Sequence, residues 1–327
     1  MTASNSIRCP DRDDLATAWS VVRRHLPATP LVSTALAQGA LLKLETFQPT
    51  GSFKVRGGLS GLSALPADVE AITASAGNHA LGVAYAAKQL GRSATVVLPK
   101  NASMAKVAAL RDFPVELVQE GSDIDAAEAH ALELAGSRYH FLSAYNDAQV
   151  IAGQSTLGRE LDDQVDGPMT VVCGVGGGGL CAGLGLWAEG RDDVTVIGVE
   201  SARSRAMTAA IEAGQVVTID VGDTLADGLA GNLAGDCVTP AIIARTVDRL
   251  VAVEDDAIRD AIVWLYRNHG LVVEASGAVG VAAVLRGQIP ITGTLVVVLS
   301  GRNIAVDKFA ALLAGSMTDA AGGQADD

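Results

Sequence analysis

The sequence is poor in aromatic and basic side chains, and these two shortages exclude several classes of partner. Aromatic residues make up only 4% of the 327 residues, which leaves few rings for stacking on nucleic-acid bases. The 24 lysines and arginines stand against 37 aspartates and glutamates, and the resulting formal charge of −13 would repel nucleic acids and anionic lipid surfaces. We therefore expect no nucleic-acid partner.

Long apolar runs and paired cysteines are also missing. No stretch approaches the ~18 apolar residues that cross a membrane, because Gly, Pro or charged residues interrupt the most hydrophobic segments. We expect no membrane partner. The four cysteines (Cys9, Cys173, Cys181 and Cys237) form no Cys-x-x-Cys pair, and residues 1–10 lack the apolar core of a signal peptide. These features favour a cytoplasmic protein with reduced thiols.

The remaining composition is that of a folded α/β protein. Short runs rich in β-branched residues alternate with Ala- and Leu-rich stretches of helical spacing, a pattern typical of βαβ units and a mostly parallel sheet. The strand candidates are residues 71–74, 94–98, 115–118, 170–173, 194–199 and 294–299. The helix candidates include residues 79–90, 123–135, 180–189 and 255–268.

Three strand candidates are followed by unusual segments. Ligands of parallel sheets bind at the carboxyl ends of the strands, where helix N termini present free N–H groups. The segments at these ends are 75–79 (SAGNH), 174–179 (GVGGGG) and 300–303 (SGRN). At the end of the chain, residues 316–327 are small and acidic, and we predict a flexible tail there.

Lys54 lies between an aromatic and a small apolar residue in the segment 49–57 (PTGSFKVRG). A desolvated lysine amine loses its proton more easily and can then attack an aldehyde, which makes Lys54 a candidate Schiff-base former. For any single lysine, a solvated surface charge is the alternative. The rest of the chain decides between the two.

The glycine-rich segment 174–179 allows three interpretations. It matches the Gly-x-Gly-x-x-Gly fingerprint of nicotinamide-dependent enzymes, with Glu200 at the end of the next predicted strand. This match is weak, because 36 glycines among 327 residues give roughly 0.4 chance matches per chain. Four consecutive glycines, expected roughly 0.05 times by chance, suit a compact phosphate surrounded by backbone N–H groups. A turn without a ligand is the third interpretation.

One cofactor would use these features together. Pyridoxal 5′-phosphate has an aldehyde for Lys54, a phosphate for the glycine segment, and a pyridine nitrogen that needs a hydrogen-bonding partner. Seven segments also resemble, in their order along the chain, those of the fold-type II pyridoxal-phosphate enzymes, and within them the threonine/serine dehydratase and serine racemase family. These segments are 49–57 (PTGSFKVRG), 74–80 (ASAGNHA), 150–154 (VIAGQ), 176–180 (GGGGL), 224–228 (TLADG), 273–278 (VEASGA) and 299–303 (LSGRN).

The resemblance implies a fold similar to the tryptophan synthase β subunit. It has two three-layer αβα domains with mostly parallel sheets, and the active site lies between them. The large cofactor-binding domain would hold residues 1–68 and 147–315, and a small mobile domain would hold residues 69–146 and close on the substrate. The resemblance also implies a homo-oligomer, either a dimer or a tetramer.

A role for each matched residue follows from the same resemblance. Lys54 would bind the cofactor aldehyde and later remove the Cα proton of the substrate. The other cofactor contacts would come from Phe53, Asn78, Asn146, Gly176, Gly177, Gly178, Gly179, Leu180 and Ser300. A helix N terminus would hold the substrate carboxylate through Ser75, Gly77, Asn78 and His79.

The resemblance places Ser300 opposite the pyridine nitrogen, and a neutral hydroxyl there leaves that nitrogen unprotonated. The electron sink is then weak, which favours rapid loss of a β-hydroxyl over slower reactions. The expected activity is that of a threonine or serine dehydratase (ammonia-lyase), which converts a hydroxyamino acid into a 2-oxo acid and ammonia by β-elimination. No good general acid is evident in the matched segments, and the cofactor phosphate is our candidate.

Several positions depart from the family pattern and keep alternatives open. Ala76 stands where racemases of the family have a second serine, which argues against a serine racemase-like activity. Arg302 replaces a glycine and is a candidate to bind a second substrate carboxylate, which would favour 3-hydroxyaspartate. Glu200 matches one carboxylate of the family's divalent-cation site, but Ala206 stands at the second and leaves the site incomplete. A nicotinamide-dependent dehydrogenase and a non-catalytic metabolite-binding module are the remaining alternatives.

Overall fold

The computed structural model describes residues 7–136 and 138–321. Its strands are β1 (Leu31–Ser33), β2 (Leu41–Leu44), β3 (Glu70–Ala74), β4 (Ala94–Leu98), β5 (Glu116–Gln119), β6 (Tyr139–Phe141), β7 (Met169–Gly174), β8 (Val194–Ser201), β9 (Arg249–Val253) and β10 (Thr294–Leu299). Its α-helices are α1 (Arg12–His25), α2 (Lys54–Ala64), α3 (Asn78–Leu90), α4 (Met104–Arg111), α5 (Ile124–Leu134), α6 (Ala148–Gln164), α7 (Gly179–Ala188), α8 (Ala206–Ala213), α9 (Thr239–Thr246), α10 (Asp255–His269), α11 (Ala275–Leu285) and α12 (Val306–Ala321). Two short 3-10 helices lie at Glu45–Phe47 and Asp227–Leu229.

The strands form two separate sheets. The first has six strands in the order β1-β2-β10-β7-β8-β9, in which only β1 and β2 pair antiparallel. The second has four strands in the order β5-β4-β3-β6, and all of its pairs are parallel. The predicted α/β class with mostly parallel sheets is therefore confirmed.

Helices cover both faces of the six-stranded sheet because successive side chains of a strand point to opposite faces. On β10, Val297 packs into a core with α10, α11 and α12. Its neighbours Val296 and Val298 pack into a second core with α6, α7, α8 and α9. These two buried faces explain why the sequence of β10 is a continuous apolar run rather than an alternating one.

The four-stranded sheet has the same layered construction. Val96 and Leu98 pack against α3 and α4, whereas Val97 packs against α5 on the other face. Although every strand of this sheet lies within residues 69–146, helices α1 and α2 share one apolar cluster with α3. The limits of the two domains therefore stay a prediction.

A buried charge cluster joins β2 and the 3-10 helix that follows it to α2 and α6. It consists of Lys43, Glu45, Arg56 and Glu160, whose side chains are at most 3% exposed. Arg56 binds Glu45 through two bonds of 2.8 Å and Glu160 at 2.7 Å, while the Lys43 amine lies 2.6 Å from Glu160. Burial opposes ionisation of Glu45, but Arg56 and Lys43 hold its pKa below the ordinary value.

The end of the chain differs from the prediction. We expected a flexible tail from residue 316, but α12 continues to Ala321. The reason lies in the sequence, because residues 316–321 contain neither Gly nor Pro, the two residues least favourable inside a helix. The rest of the predicted tail, residues 322–327, lies outside the described residues. None of the described helices is long and apolar enough to cross a membrane.

Candidate active site

Lys54 is the first residue of α2, and the loop before it is held against the end of β10. The Phe53 N–H donates a hydrogen bond of 3.0 Å to the Ser300 carbonyl, and Ser52 pairs with Gly301 as an isolated bridge. The carboxyl end of β10 therefore lies next to the start of α2. This pairing brings together two segments that are about 250 positions apart in sequence.

The Lys54 side chain is half-buried, and its amine has one hydrogen-bond acceptor. Nζ donates to the Ala144 carbonyl at 2.9 Å and lies 5.2 Å from the centroid of the Phe53 ring. Burial lowers the pKa of Lys54 to about 8, although the Glu274 carboxylate acts in the opposite direction. A neutral, nucleophilic amine is therefore accessible near neutral pH.

The glycine segment between β7 and α7 presents free backbone donors. Among the described residues, none accepts a hydrogen bond from the N–H groups of residues 176–180. Gly178 adopts φ +85°, a left-handed conformation that favours glycine, and α7 begins at Gly179. Consecutive free N–H groups at a helix N terminus are a binding site for an anion such as a phosphate.

Tyr145 explains part of the glycine requirement. A Cβ added to Gly177 would collide with the Tyr145 ring, and one added to Gly176 would lie 2.8 Å from the Leu229 Cα. The Tyr145 hydroxyl accepts a hydrogen bond of 3.1 Å from the Ala234 N–H, which fixes the ring. The preceding residue, Ala144, holds Lys54, so the glycine segment and the reactive amine belong to one site.

The segment 75–79 forms a second cluster of free donors, at the start of α3. Ser75 Oγ accepts a hydrogen bond of 3.1 Å from the Gly77 N–H, which closes the turn. The N–H groups of residues 76 and 78–80 donate to none of the described residues. This arrangement matches the carboxylate-binding role that the resemblance implies.

The His79 ring does not face a ligand. It is 3% exposed, and its Nε2 donates to the Leu142 carbonyl at 2.9 Å. Burial, together with the nearby Lys54, lowers the pKa of His79 to about 4, so the ring is neutral at pH 7. If His79 binds the substrate, it does so through its backbone N–H.

Asn78 connects the second segment to the elements around Ser300. Its Nδ2 donates to Glu274 Oε1 at 2.8 Å, and its Oδ1 accepts from Asn303 Nδ2 at 2.6 Å. Sequence patterns alone indicate no role for Glu274 or Tyr145. For Glu274 a signal existed, because it is the carboxylate of the matched segment 273–278.

Two other predicted residues have partners of their own. Asn146 donates from Nδ2 to Asp236 at 3.0 Å and accepts from the Val238 N–H at 3.0 Å. A contact with the cofactor would have to use its remaining N–H, and this role stays a prediction. Ser300 is 5% exposed and lies directly before Gly301, and its contact with the cofactor stays a prediction.

Glu200 caps a helix. Its carboxylate accepts hydrogen bonds from the Met207 N–H at 3.0 Å and from both the N–H and the hydroxyl of Thr208, at the start of α8. Burial raises the pKa of Glu200, while these hydrogen bonds oppose the shift. In the described part of the chain no group of three or more His, Cys, Asp or Glu residues could hold a metal ion.

Arg302 lies at the edge of the site with its charge unpaired. Its backbone N–H donates to the Gly51 carbonyl at 2.9 Å, but its exposed guanidinium forms no hydrogen bond or ion pair with the described residues. It is therefore free to bind an external anion.

The residues of this site fit pyridoxal phosphate. Its aldehyde corresponds to the Lys54 amine, its phosphate to the free N–H groups of residues 176–180, and its ring nitrogen to Ser300. The match to a family model decides between this cofactor and the dinucleotide. The model described as "Pyridoxal-phosphate dependent enzyme" matches residues 22–301. The chain belongs to this family. The dinucleotide interpretation of the glycine segment is therefore wrong.

Relatives of known activity are similar over most of their length. The L-threonine ammonia-lyase of Thermotoga maritima is 37% identical over 298 residues, which are 89% of this chain and 74% of the relative. The catabolic L-threonine dehydratase TdcB of Escherichia coli K12 is 34% identical over 278 residues, which are 83% and 84% of the two chains.

Solved structures show the same fold. Maize serine racemase has a TM-score of 0.84 at 27% identity, over 96% of this chain and 100% of that chain. The processed threonine deaminase isoform 2 of Solanum lycopersicum has a TM-score of 0.83 at 32% identity, over 96% and 97%. These similarities confirm the fold-type II architecture and the threonine/serine dehydratase and serine racemase family.

Proposed function

We propose that the protein is a pyridoxal-phosphate-dependent ammonia-lyase that acts on L-threonine or L-serine. The observation that carries this proposal is the half-buried Lys54 amine, which donates to the Ala144 carbonyl and lies in one site with two clusters of free N–H groups. One cluster suits the cofactor phosphate and the other a substrate carboxylate. The names of the threonine ammonia-lyase and dehydratase relatives support the same reaction.

When bound, the cofactor supplies the electron sink that makes the Cα proton of an amino acid acidic. The residues of the chain do the rest. N–H groups 76 and 78–80 hold the carboxylate and so orient the Cα–H bond. Lys54, with a pKa of about 8, accepts the Cα proton as a neutral amine, and the Ala144 carbonyl can hold the ammonium that forms. Loss of the β-hydroxyl with a proton, as water, would leave an enamine, which water then hydrolyses to a 2-oxo acid and ammonia.

The test is a direct assay on purified protein loaded with pyridoxal phosphate. We expect ammonia and a 2-oxo acid from serine or threonine, and a visible absorption band that borohydride abolishes. Lys54→Ala should lose both the band and the activity. Lys106→Ala is the matched control, because Lys106 is an exposed lysine on α4. A Lys54→Ala protein with full lyase activity after reconstitution would contradict the proposal.

A second candidate activity is dehydration of 3-hydroxyaspartate. The observation in its favour is the unpaired guanidinium of Arg302, which could bind a side-chain carboxylate by two parallel hydrogen bonds. A solved aspartate racemase, similar at 28% identity with a TM-score of 0.82, acts on a dicarboxylic amino acid. Arg302→Ala should then reduce turnover of 3-hydroxyaspartate but not of serine. Equal effects on both substrates would contradict this activity.

We also propose a cytoplasmic location and a homo-oligomer. All four cysteines are free, which suits a reducing compartment. Light scattering of the purified holoenzyme would measure the number of subunits, for which we expect two or four.

A further inference from the structure

Glu274 is a carboxylate inside the site to which neither the sequence analysis nor the proposed reaction gives a role. It directly precedes α11 and is half-buried. Its Oε1 accepts the hydrogen bond from Asn78 Nδ2 at 2.8 Å and packs so closely on Gly301 that an added Cβ would collide with it. The carboxylate therefore lies one residue from Ser300, at the base of the site.

The hydrogen bonds around Asn78 fix the orientation of its carboxamide. Asn303 Nδ2 donates to the Thr50 carbonyl at 2.8 Å, and because a carbonyl can only accept, this atom must be the amino group. The Asn78 atom that faces it at 2.6 Å must then be the oxygen. The amino group of Asn78 consequently faces Glu274 and keeps one N–H free.

The two residues that anchor the Asn78 side chain, Glu274 and Asn303, adjoin the six-stranded sheet, whereas Asn78 itself adjoins the four-stranded sheet. Asn78 starts α3, which packs on the four-stranded sheet, whereas Glu274 and Asn303 lie next to α11 and β10 of the six-stranded sheet. Each anchor fixes one end of the carboxamide. Without Glu274, only the bond from Asn303 would remain, and the amino end could rotate.

Several groups control the charge of Glu274. Lys54 and the Asn303 N–H favour the ionised form, as does Asn78, whereas Asp227 opposes it. Burial is the largest influence and raises the pKa of Glu274 to about 7. The ionised carboxylate forms the stronger, charge-assisted bond to Asn78, so the strength of this anchor changes near neutral pH.

We propose that Glu274 is a positioning residue that holds the Asn78 carboxamide so that its free N–H faces the phenolic oxygen of the bound cofactor. This inference rests on the proposed function, because it requires pyridoxal phosphate in the site. Removal of the acceptor leaves the carboxamide free to turn away. The cofactor then loses a hydrogen bond that affects both its absorption spectrum and its reactivity.

The experiment compares holoenzyme variants Glu274→Gln and Glu274→Ala with Glu133→Gln. Glu133 is a matched control because its side chain is 79% exposed on α5. Glutamine keeps a neutral acceptor, so we expect kcat with serine to fall about fivefold, and alanine should lower it about a hundredfold. In both variants we expect the visible band to lose any pH dependence that comes from ionisation of the Glu274 carboxyl group. Glu133→Gln should change neither quantity.

Folded, cofactor-loaded Glu274 variants with wild-type kcat and a wild-type spectral titration would overturn the inference. Where these variants fail to fold by circular dichroism, Glu274→Asp keeps the charge but shortens the side chain, so the acceptor withdraws from Asn78 Nδ2 and the visible band should change. An unaltered band in folded Glu274→Asp would also overturn the inference. Failure of the proposed function itself looks different, because the wild type would then bind no cofactor or release no ammonia.

Discussion

Replacement of Glu160 by glutamine would remove one negative charge from the buried charge cluster and leave the rest of the side chain in place. Glu160 is the residue that contacts both cations, with its two oxygens 2.7 Å from Arg56 and 2.6 Å from Lys43. After the change, these two cations would face Glu45 alone. The cluster would carry one uncompensated positive charge in a region that water does not reach.

The expected cost follows from that charge. Breaking a buried ion pair by removing one partner costs about 3–5 kcal/mol, a large fraction of the 5–15 kcal/mol that holds a typical domain folded. Loss of the Lys43 proton would limit the cost, because burial already lowers the pKa of Lys43 and Glu160 is the main group opposing that shift. Since Arg56 lies two residues after Lys54, we also expect weaker retention of the cofactor.

The assay is urea unfolding followed by circular dichroism. Glu160→Gln should lose about 3 kcal/mol, and the double variant Lys43→Met/Glu160→Gln, which restores charge balance, should recover about 2 kcal/mol of it. Glu189→Gln, which breaks an exposed ion pair with Arg245, should lose less than about 1 kcal/mol. A loss below 1 kcal/mol for Glu160→Gln, or simple additivity in the double variant, would refute the reasoning.

Three further predictions concern the site and its surroundings. Gly177→Ala should lower the free energy of unfolding by about 1–3 kcal/mol and reduce cofactor content, because the added Cβ collides with the Tyr145 ring. Gly136→Ala is the control, because no atom lies near its added Cβ, and it should change neither quantity. Equal melting temperatures for the two variants would contradict this prediction. Only the neutral amine of Lys54 reacts with the cofactor aldehyde. The rate of cofactor binding to the apoprotein, measured by stopped-flow absorbance, should therefore rise about tenfold per pH unit up to about pH 8 and then level off. A rise that continues to pH 10 would show that the pKa of Lys54 is not lowered. Glu200→Ala should cost about 1–3 kcal/mol in urea unfolding, because the N–H groups that begin α8 lose their acceptor, and an unchanged midpoint would contradict its capping role.

The sequence predicted those parts of the fold that depend on local patterns. All six strand candidates are strands in the structure, and β4 and β10 have the predicted limits. The continuous apolar sequences of β4 and β10 are typical of strands buried on both faces. By contrast, β1 and β9 are partly exposed, with few buried residues, and the apolar pattern that would reveal them is weak.

The site was predicted in its segments but not in its internal contacts. Lys54 and the glycine segment were found because residue types at fixed spacing indicate their chemistry. Glu274 and Tyr145 were missed because their partners are distant in sequence: Asn78 and Glu274 are 196 positions apart. Glu200 shows the same limit, since only the structure reveals that its oxygens already bind the start of α8.

Ala144 and Tyr145 contact the two chemically active parts of the site from consecutive positions, one through its carbonyl and the other through its ring. The peptide unit between Ala144 and Tyr145 is rigid. A shift of the Ala144 carbonyl that changes the basicity of the Lys54 amine therefore also moves Tyr145 against the glycine segment. Substitutions at Ala144 or Tyr145 should consequently alter substrate range and cofactor retention together. In directed evolution, substitutions at Ala144 or Tyr145, just before α6, should therefore change both properties at once.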